Sequence, residues 1–285
     1  MNTSYLRTAR ELFHLNVQRT LLTVNHSGVP GNADKDNKTS VVIAQEIAKR
    51  LQAATGEWMG AQQAGTKFEE LVAAFLQDSF LKFSHLRPGK WEVRQVGNRN
   101  RKEISRYAQY SHLVELQHVA DTNKELAAVL GNDYTITPDV LITRGRESDS
   151  DINQTSYLVD PHTGKRGDIR DTLEDNPILH ASISTKWTLR SDRAQNARSE
   201  ALNLIRNRKG RQPHIVVVTG EPLPSRLSSL ALGTGDIDCV YHFALEELQD
   251  AVKQLNNSEA ENLLDIMVSG RRLKDIADLP LDLAV

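Results

Sequence analysis

Residues 214–219 read His-Ile-Val-Val-Val-Thr, an apolar run without polar alternation. Side chains of a strand point alternately to two faces, so a strand with no polar face needs cover on both. Such a segment belongs inside a sheet with helices packed above and below it, and the surrounding sequence supplies them. Residues 4–23 carry Leu6, Ala9, Leu12, Phe13 and Val17 at helical spacing. A helix capped by Thr39 or Ser40 runs to Leu51, with Val42, Ile43 and Ile47 on its apolar face. A third, over 66–83, turns Phe68, Leu71, Val72, Phe75 and Leu76 inward. Further helices are predicted over 103–120, 122–130, 245–255 and 259–268, and strands over 91–96, 135–143, 181–187 and 237–243. Residues 26–38 and 60–65 read as polar loops. The order of elements gives an α/β fold, a central mixed β-sheet flanked by helices. Without a repeat or a convincing linker, residues 1–285 are read as a single domain with a polar excursion at about 144–178.

Bulk properties exclude several classes. No apolar run reaches the 18 residues or so that span a bilayer, and the start lacks the layout of a signal peptide. The single cysteine, Cys239, excludes a disulfide within the chain and a cysteine-cluster zinc site. A cytoplasmic protein without a membrane partner is expected. The net charge of −2 does not announce a polyanion binder, but its distribution is uneven. Residues 186–211 hold eight basic residues against Asp192 and Glu200, and residues 87–106 hold seven against Glu92 and Glu103. Two basic clusters on a near-neutral chain suit a polyanion-facing surface, although solvated helix faces would look the same.

The segment from 181 to 211 concentrates the unusual chemistry. Ser182, Ser184 and Lys186 share one face of the strand, while Ala181, Ile183, Thr185 and Trp187 share the other. On the following helix, Glu200 falls with Ala197, Ala201 and Leu204, the small apolar side that must pack on the sheet. A carboxylate placed there is costly unless it is paired or binds a metal. Pro138-Asp139 on another strand offers a second acid. Carboxylates and a lysine around one point suit metal-assisted phosphodiester hydrolysis, with Mg²⁺ favouring hard oxygen ligands. Glu69 falls at the flank of its helix, near Val72 and Leu76, where a carboxylate ordinarily reaches water.

Taken together, Pro138-Asp139, Ser184-Thr185-Lys186 and Glu200 resemble the PD-(D/E)xK nuclease motif in a permuted form. There a serine stands two residues before the lysine and a glutamate on the next helix replaces the acid. With Arg190-Ser191-Asp192-Arg193 directly after the strand, the chain resembles the CCGG-recognising group of type II restriction endonucleases, in its NgoM-type branch that cuts GCCGGC. The similarity runs through most of the chain, most closely at 98–101, 134–139, 180–210, 213–218, 232–243 and 273–285.

The resemblance implies roles that patterning could not assign. Asp139 and Glu200 would be metal-site carboxylates, the Thr185 backbone carbonyl a further ligand, and Lys186 the catalytic lysine. Ser184 would occupy the vacated acidic position, and Glu69 would be a further active-site glutamate, against the solvent-facing reading above. Two Mg²⁺ ions per active site are expected. Arg190 and Arg193 would offer bidentate forks to guanine, and Asp192 would accept from cytosine N4. Gln62 would read the central pairs from the minor groove, and Asp34 and Arg226 the outer G·C pair. The expected activity is hydrolysis of double-stranded DNA at GCCGGC after the first G, leaving 5′ CCGG overhangs. The expected assembly is a homotetramer, a dimer of dimers, in a prokaryotic cytoplasm. A cognate DNA methyltransferase belongs to the same restriction-modification system without being a physical partner. Two other readings remain open: a PD-(D/E)xK nuclease of repair or recombination that reads DNA structure, and a DNA-binding module without chemistry. Gly233-Thr-Gly235 lacks the rest of a dinucleotide fingerprint.

Overall fold

The computed structural model describes residues 3–97, 103–123, 125, 136, 138–171, 176–233 and 235–285. Helix α1 (Tyr5–Thr20) is capped by Ser4, whose side chain accepts the Arg7 N–H. Helix α2 (Lys38–Arg50) is capped by Asn37, whose side chain accepts the Ser40 N–H, and not by Thr39 or Ser40. Helix α3 (Ala61–Ser79) begins before Thr66, so that Gln62 lies in its first turn rather than in a loop. That turn is polar and exposed, which is why hydrophobic spacing does not reveal it.

Strand β1 (Trp91–Gln95) follows. The single helix predicted over 103–120 is instead two 3₁₀ turns, Ile104–Arg106 and Ala108–Tyr110, followed by helix α4 (Leu113–Thr122). Tertiary hydrogen bonds override helical propensity here. Buried Glu103 accepts from Arg94 at 2.7 Å and from the Tyr107 hydroxyl at 2.8 Å. Gln109 bonds both the N–H and the C=O of Leu179. Most of the helix predicted over 122–130 lies outside the described residues.

Strand β2 (Val140–Arg144) is shorter than predicted; Ile136, Pro138 and Asp139 precede it, while Thr135 and Thr137 lie outside the described residues. The excursion contains the short helix α5 (Asp149–Ile152) and returns as β3 (Ile178–Lys186). Helix α6 (Ser191–Asn207) and strand β4 (His214–Thr219) come next. Helix α7 (Pro224–Ala231) and strand β5 (Cys239–His242) precede α8 (Leu245–Gln254) and α9 (Ser258–Ser269). Strand β6 (Leu273–Asp275) and helix α10 (Leu279–Asp282) close the chain.

The six strands form one sheet in sequence order, β1 to β6. The pairs β1–β2 and β2–β3 are antiparallel, and the pairs from β3 to β6 are parallel, which makes the sheet mixed. Strand β4 lies in the interior with Ile215–Val218 buried, as its apolar run requires. Helix α3 covers one face, where Phe68 packs on Trp187 with ring centroids 5.1 Å apart. Helix α6 covers the other, where Ala197, Ala201 and Leu204 border a narrow cleft with Ser182, Ser184 and Val217. Among the described residues, no helix is long and apolar enough to cross a membrane.

Candidate active site

The antiparallel register of β2 and β3 makes the site. Val140 pairs with Ile183, so Asp139, one residue before the strand, arrives beside Ser184 and Thr185. Asp139 is buried, and its Oδ2 accepts the Thr185 N–H at 2.7 Å and the Lys186 ammonium at 3.0 Å. The Ser184 and Thr185 hydroxyls donate to the same oxygen at 3.4 Å each. A carboxylate held by a backbone N–H and an ammonium is fixed in position, and charge-assisted bonds of this kind are about twice as strong as neutral ones.

Glu69 approaches from α3. It is 5 % exposed, not a boundary residue reaching water. Burial, then the Asp139 carboxylate, push its acid up to about 7, while the Gln95 amide at 3.5 Å and the Lys186 charge oppose that rise. Glu200 comes from the opposite face, lining the α6 cleft with Pro138, Ser182 and Ser184. Ser184 is the common neighbour: it borders the cleft with Glu200 and donates to Asp139. The structure thus brings Glu69, Asp139, Ser184, Thr185 and Lys186 together at the end of β3, and places Glu200 in the cleft that Ser184 borders. Among the described residues, no three His, Cys, Asp or Glu side chains converge into a metal cluster. The oxygen donors present here are the Asp139 and Glu69 carboxylates, the Ser184 and Thr185 hydroxyls and the peptide carbonyls of β3, with the Glu200 carboxylate on the far side of Ser184.

The arginines sit one turn further along the chain. Arg190 is exposed just before α6. Arg193 is half-buried and donates to the Thr188 hydroxyl at 2.8 Å. Asp192 lies in the first turn of α6, with its side chain outside the described residues. Two adjoining concavities share Asp34, Arg190 and Arg226. The larger, about 690 Å³, is also lined by Gln195, Arg198 and Ser225, and the smaller by Trp58, Thr188 and Arg193. Arg226 donates to Asp34, and this bond, backed by the Arg190 charge, holds the Asp34 carboxyl below its ordinary range. Gln62 is exposed on the first turn of α3, next to Ala61 at the rim of the smaller concavity. Asn98 to Arg101 lie outside the described residues.

Three contributors went unnoticed in the sequence. Gln95 donates to Glu69, Thr188 braces Arg193, and Glu221 takes the Leu189 N–H. Each is an isolated polar residue at an element end, a position that periodicity does not mark.

A family model described as NgoMIV restriction enzyme matches residues 13–285. The type II restriction enzyme NgoMIV of Neisseria gonorrhoeae is 55% identical over 278 residues, an alignment covering 97% of each chain. Among solved structures, the type IIF restriction endonuclease Bse634I with cognate DNA matches at 16% identity and a TM-score of 0.35, covering 96% of this chain and 91% of its own.

Proposed function

The chain belongs to the NgoMIV restriction enzyme family and is a type II restriction endonuclease, and we propose that it hydrolyses duplex DNA at GCCGGC. Cleavage falls after the first G and leaves 5′ CCGG overhangs. The observation that carries this reading is the 3.0 Å contact of Lys186 with Asp139, on the same segment that leads into Arg190 and Arg193.

Asp139, the Thr185 carbonyl and Glu200 would hold Mg²⁺, two ions per site. An all-oxygen donor set with few carboxylates fits that ion, which takes its remaining ligands from water and phosphate. When bound, the ion would supply Lewis-acid polarisation of the scissile phosphate and favour ionisation of the attacking water. The protein's own groups do the rest. Lys186, fixed against Asp139, neutralises charge on the phosphate as the attacking water adds and the P–O bond to the leaving oxygen breaks. Asp139 holds Lys186 in place, and Ser184 fills the space between Asp139 and Glu200 without adding a further carboxylate. Glu69, with its acid near neutrality, carries a proton or a charge beside Asp139.

Arg190 and Arg193 present forks to guanine O6 and N7 and Asp192 accepts from cytosine N4, which suits C·G pairs and little else. Gln62 reads the centre from the minor groove, and Asp34 with Arg226 reads the outer G·C pair. The enzyme acts as a single endonuclease domain in a homotetramer engaging two sites, in a prokaryotic cytoplasm alongside its methyltransferase.

Sequencing the ends of a genomic digest tests the reading directly. Every end should begin with CCGG preceded by G in the uncut sequence; ends without a common sequence would favour a structure-reading nuclease. Lys186→Ala and Asp139→Ala should each lower cleavage by about 10³-fold while retaining GCCGGC-specific binding. Full cleavage by either variant would remove the catalytic assignment.

A further inference from the structure

Glu221 has no part in the chemistry above, yet it is fully buried and charged residues at that depth are costly without partners. It lies in the turn after β4, and that turn closes on the link between the catalytic strand and the reading helix. At one end of the link, the Thr219 hydroxyl and the Gly220 N–H donate to the Lys186 carbonyl at 2.7 and 3.2 Å. At the other, Glu221 Oε2 accepts the Leu189 N–H at 2.7 Å. Residues 186–189 are therefore held at both ends by three consecutive residues. The Oε2 that takes Leu189 also lies 3.7 Å from Arg226 Nη1, and Arg226 in turn bonds Asp34. The other oxygen accepts the Leu223 N–H at 3.2 Å, which fixes the carboxylate plane. Burial pushes the Glu221 acid up to about 7, while the Leu189 N–H and Arg226 favour its charged form.

We propose that Glu221 is a positioning residue that makes reading of the outer base pair and reading of the CCGG core interdependent. This rests on the assignment of Arg226 and Asp34 to the outer pair and of Arg190 to the core. One carboxylate oxygen faces Arg226 and holds the residue directly before Arg190. When Arg226 is drawn out of place by a wrong outer pair, the charge balance around Glu221 changes. Leu189 and Arg190 then lose their fixed start to the reading helix, and Lys186, three residues earlier on the same link, shifts with them.

Glu221→Gln keeps the side-chain size and one acceptor oxygen but removes the charge, and it turns an amide N–H toward Leu189 or Leu223. The measurement is kcat/KM of the Mg²⁺-loaded enzyme on duplexes containing GCCGGC or ACCGGT, with melting temperature followed in parallel. The GCCGGC-to-ACCGGT ratio should fall by about tenfold or more, on the scale of one mismatched pair. Glu221→Asp, which keeps the charge but retracts it, should fall between, and it carries the same test if the glutamine variant does not fold. A merely structural role would lower both rates together with the melting temperature and leave the ratio unchanged; that result would overturn the proposal. Arg226→Ala separates the two layers. If it loses outer-pair discrimination while the Glu221 variants keep it, the positioning role is wrong and the reading of Arg226 stands. If Arg226→Ala itself keeps discrimination, the outer-pair assignment fails and the proposal falls with it.

Discussion

A methyl group added at Gly220 would stand 2.5 Å from the Trp187 ring and 2.9 Å from the Trp187 carbonyl. Real contacts are never that short, so something must move, and little there is free to do so. Trp187 is buried between Phe68 and Phe243, and its indole N–H donates to the Gly31 carbonyl at 3.2 Å. The Gly220 carbonyl accepts from Asn32 at 2.9 Å. Gly220→Ala should therefore cost about 1–3 kcal/mol, as overpacking does, and should displace Lys186, next to Trp187, enough to slow cleavage. Chemical denaturation and single-turnover cleavage check the two effects; wild-type stability with a wild-type rate would show that the contact relaxes freely. Sequence reading is weakest at this scale. Asp139, Lys186 and Glu200 carry a recognisable motif, and Arg190 and Arg193 a recognisable tetrapeptide. The flank position of Glu69 signals only a half-exposed helix residue, because helical periodicity cannot say what packs against the flank. Here it is the end of β1, through Gln95, and Asp139 at the start of β2.

At the level of elements, α6 bears residues of both proposed roles, base reading and metal binding, on one helix. Arg193 lies in its first turn and Glu200 near its middle, and the helix meets the sheet through Ala197, Ala201 and Leu204, all nearly inaccessible. The small residues line the cleft that Glu200 shares with Ser184. Ala201→Leu should push the helix outward at a cost of about 1–3 kcal/mol, and it should move both residues at once. Cleavage at GCCGGC and discrimination against altered CCGG cores should then decline together. A fall in cleavage with discrimination intact would show that the arginines are placed independently of the helix. This helix was legible because its small and apolar residues repeat at helical spacing. The 3₁₀ turns before α4 were not, since the bonds that unwind them, Glu103 to Arg94 and Gln109 to Leu179, join residues 9 and 70 positions apart, beyond the reach of helical spacing. Strand β6 and helix α7 are too short for periodicity to show.

Across the whole molecule, the mixed α/β architecture followed from one apolar strand and the run of elements around it, and the resemblance to the NgoM-type branch is matched by 55% identity over 97% of the chain. What sequence pattern could not show is how the chain's end is fastened to the sheet. His180 of β3 is buried against Phe80, Trp91 and His214, and its Nε2–H donates to the Leu283 carbonyl at 2.8 Å. Arg87 donates to the Leu283 and Val285 carbonyls beside it. Burial lowers the His180 pKa to about 3, helped by the charges of Arg87 and Arg211 and opposed by the bond to Leu283. The folded protein thus keeps this ring neutral while the unfolded chain protonates it near 6.5. Between those values the unfolded state binds more protons, so the contribution is complete above about 6.5 and is lost progressively as pH falls toward 3. His180→Gln retains a donor for Leu283 but cannot titrate. Relative to that variant, the wild-type protein should lose about 2 kcal/mol of unfolding free energy between pH 7 and pH 5. Denaturant titrations of both proteins at the two pH values measure the difference. Parallel changes in the two would mean that the ring titrates in the folded protein as it does in the unfolded chain, and that the C-terminal segment is held without a neutral histidine.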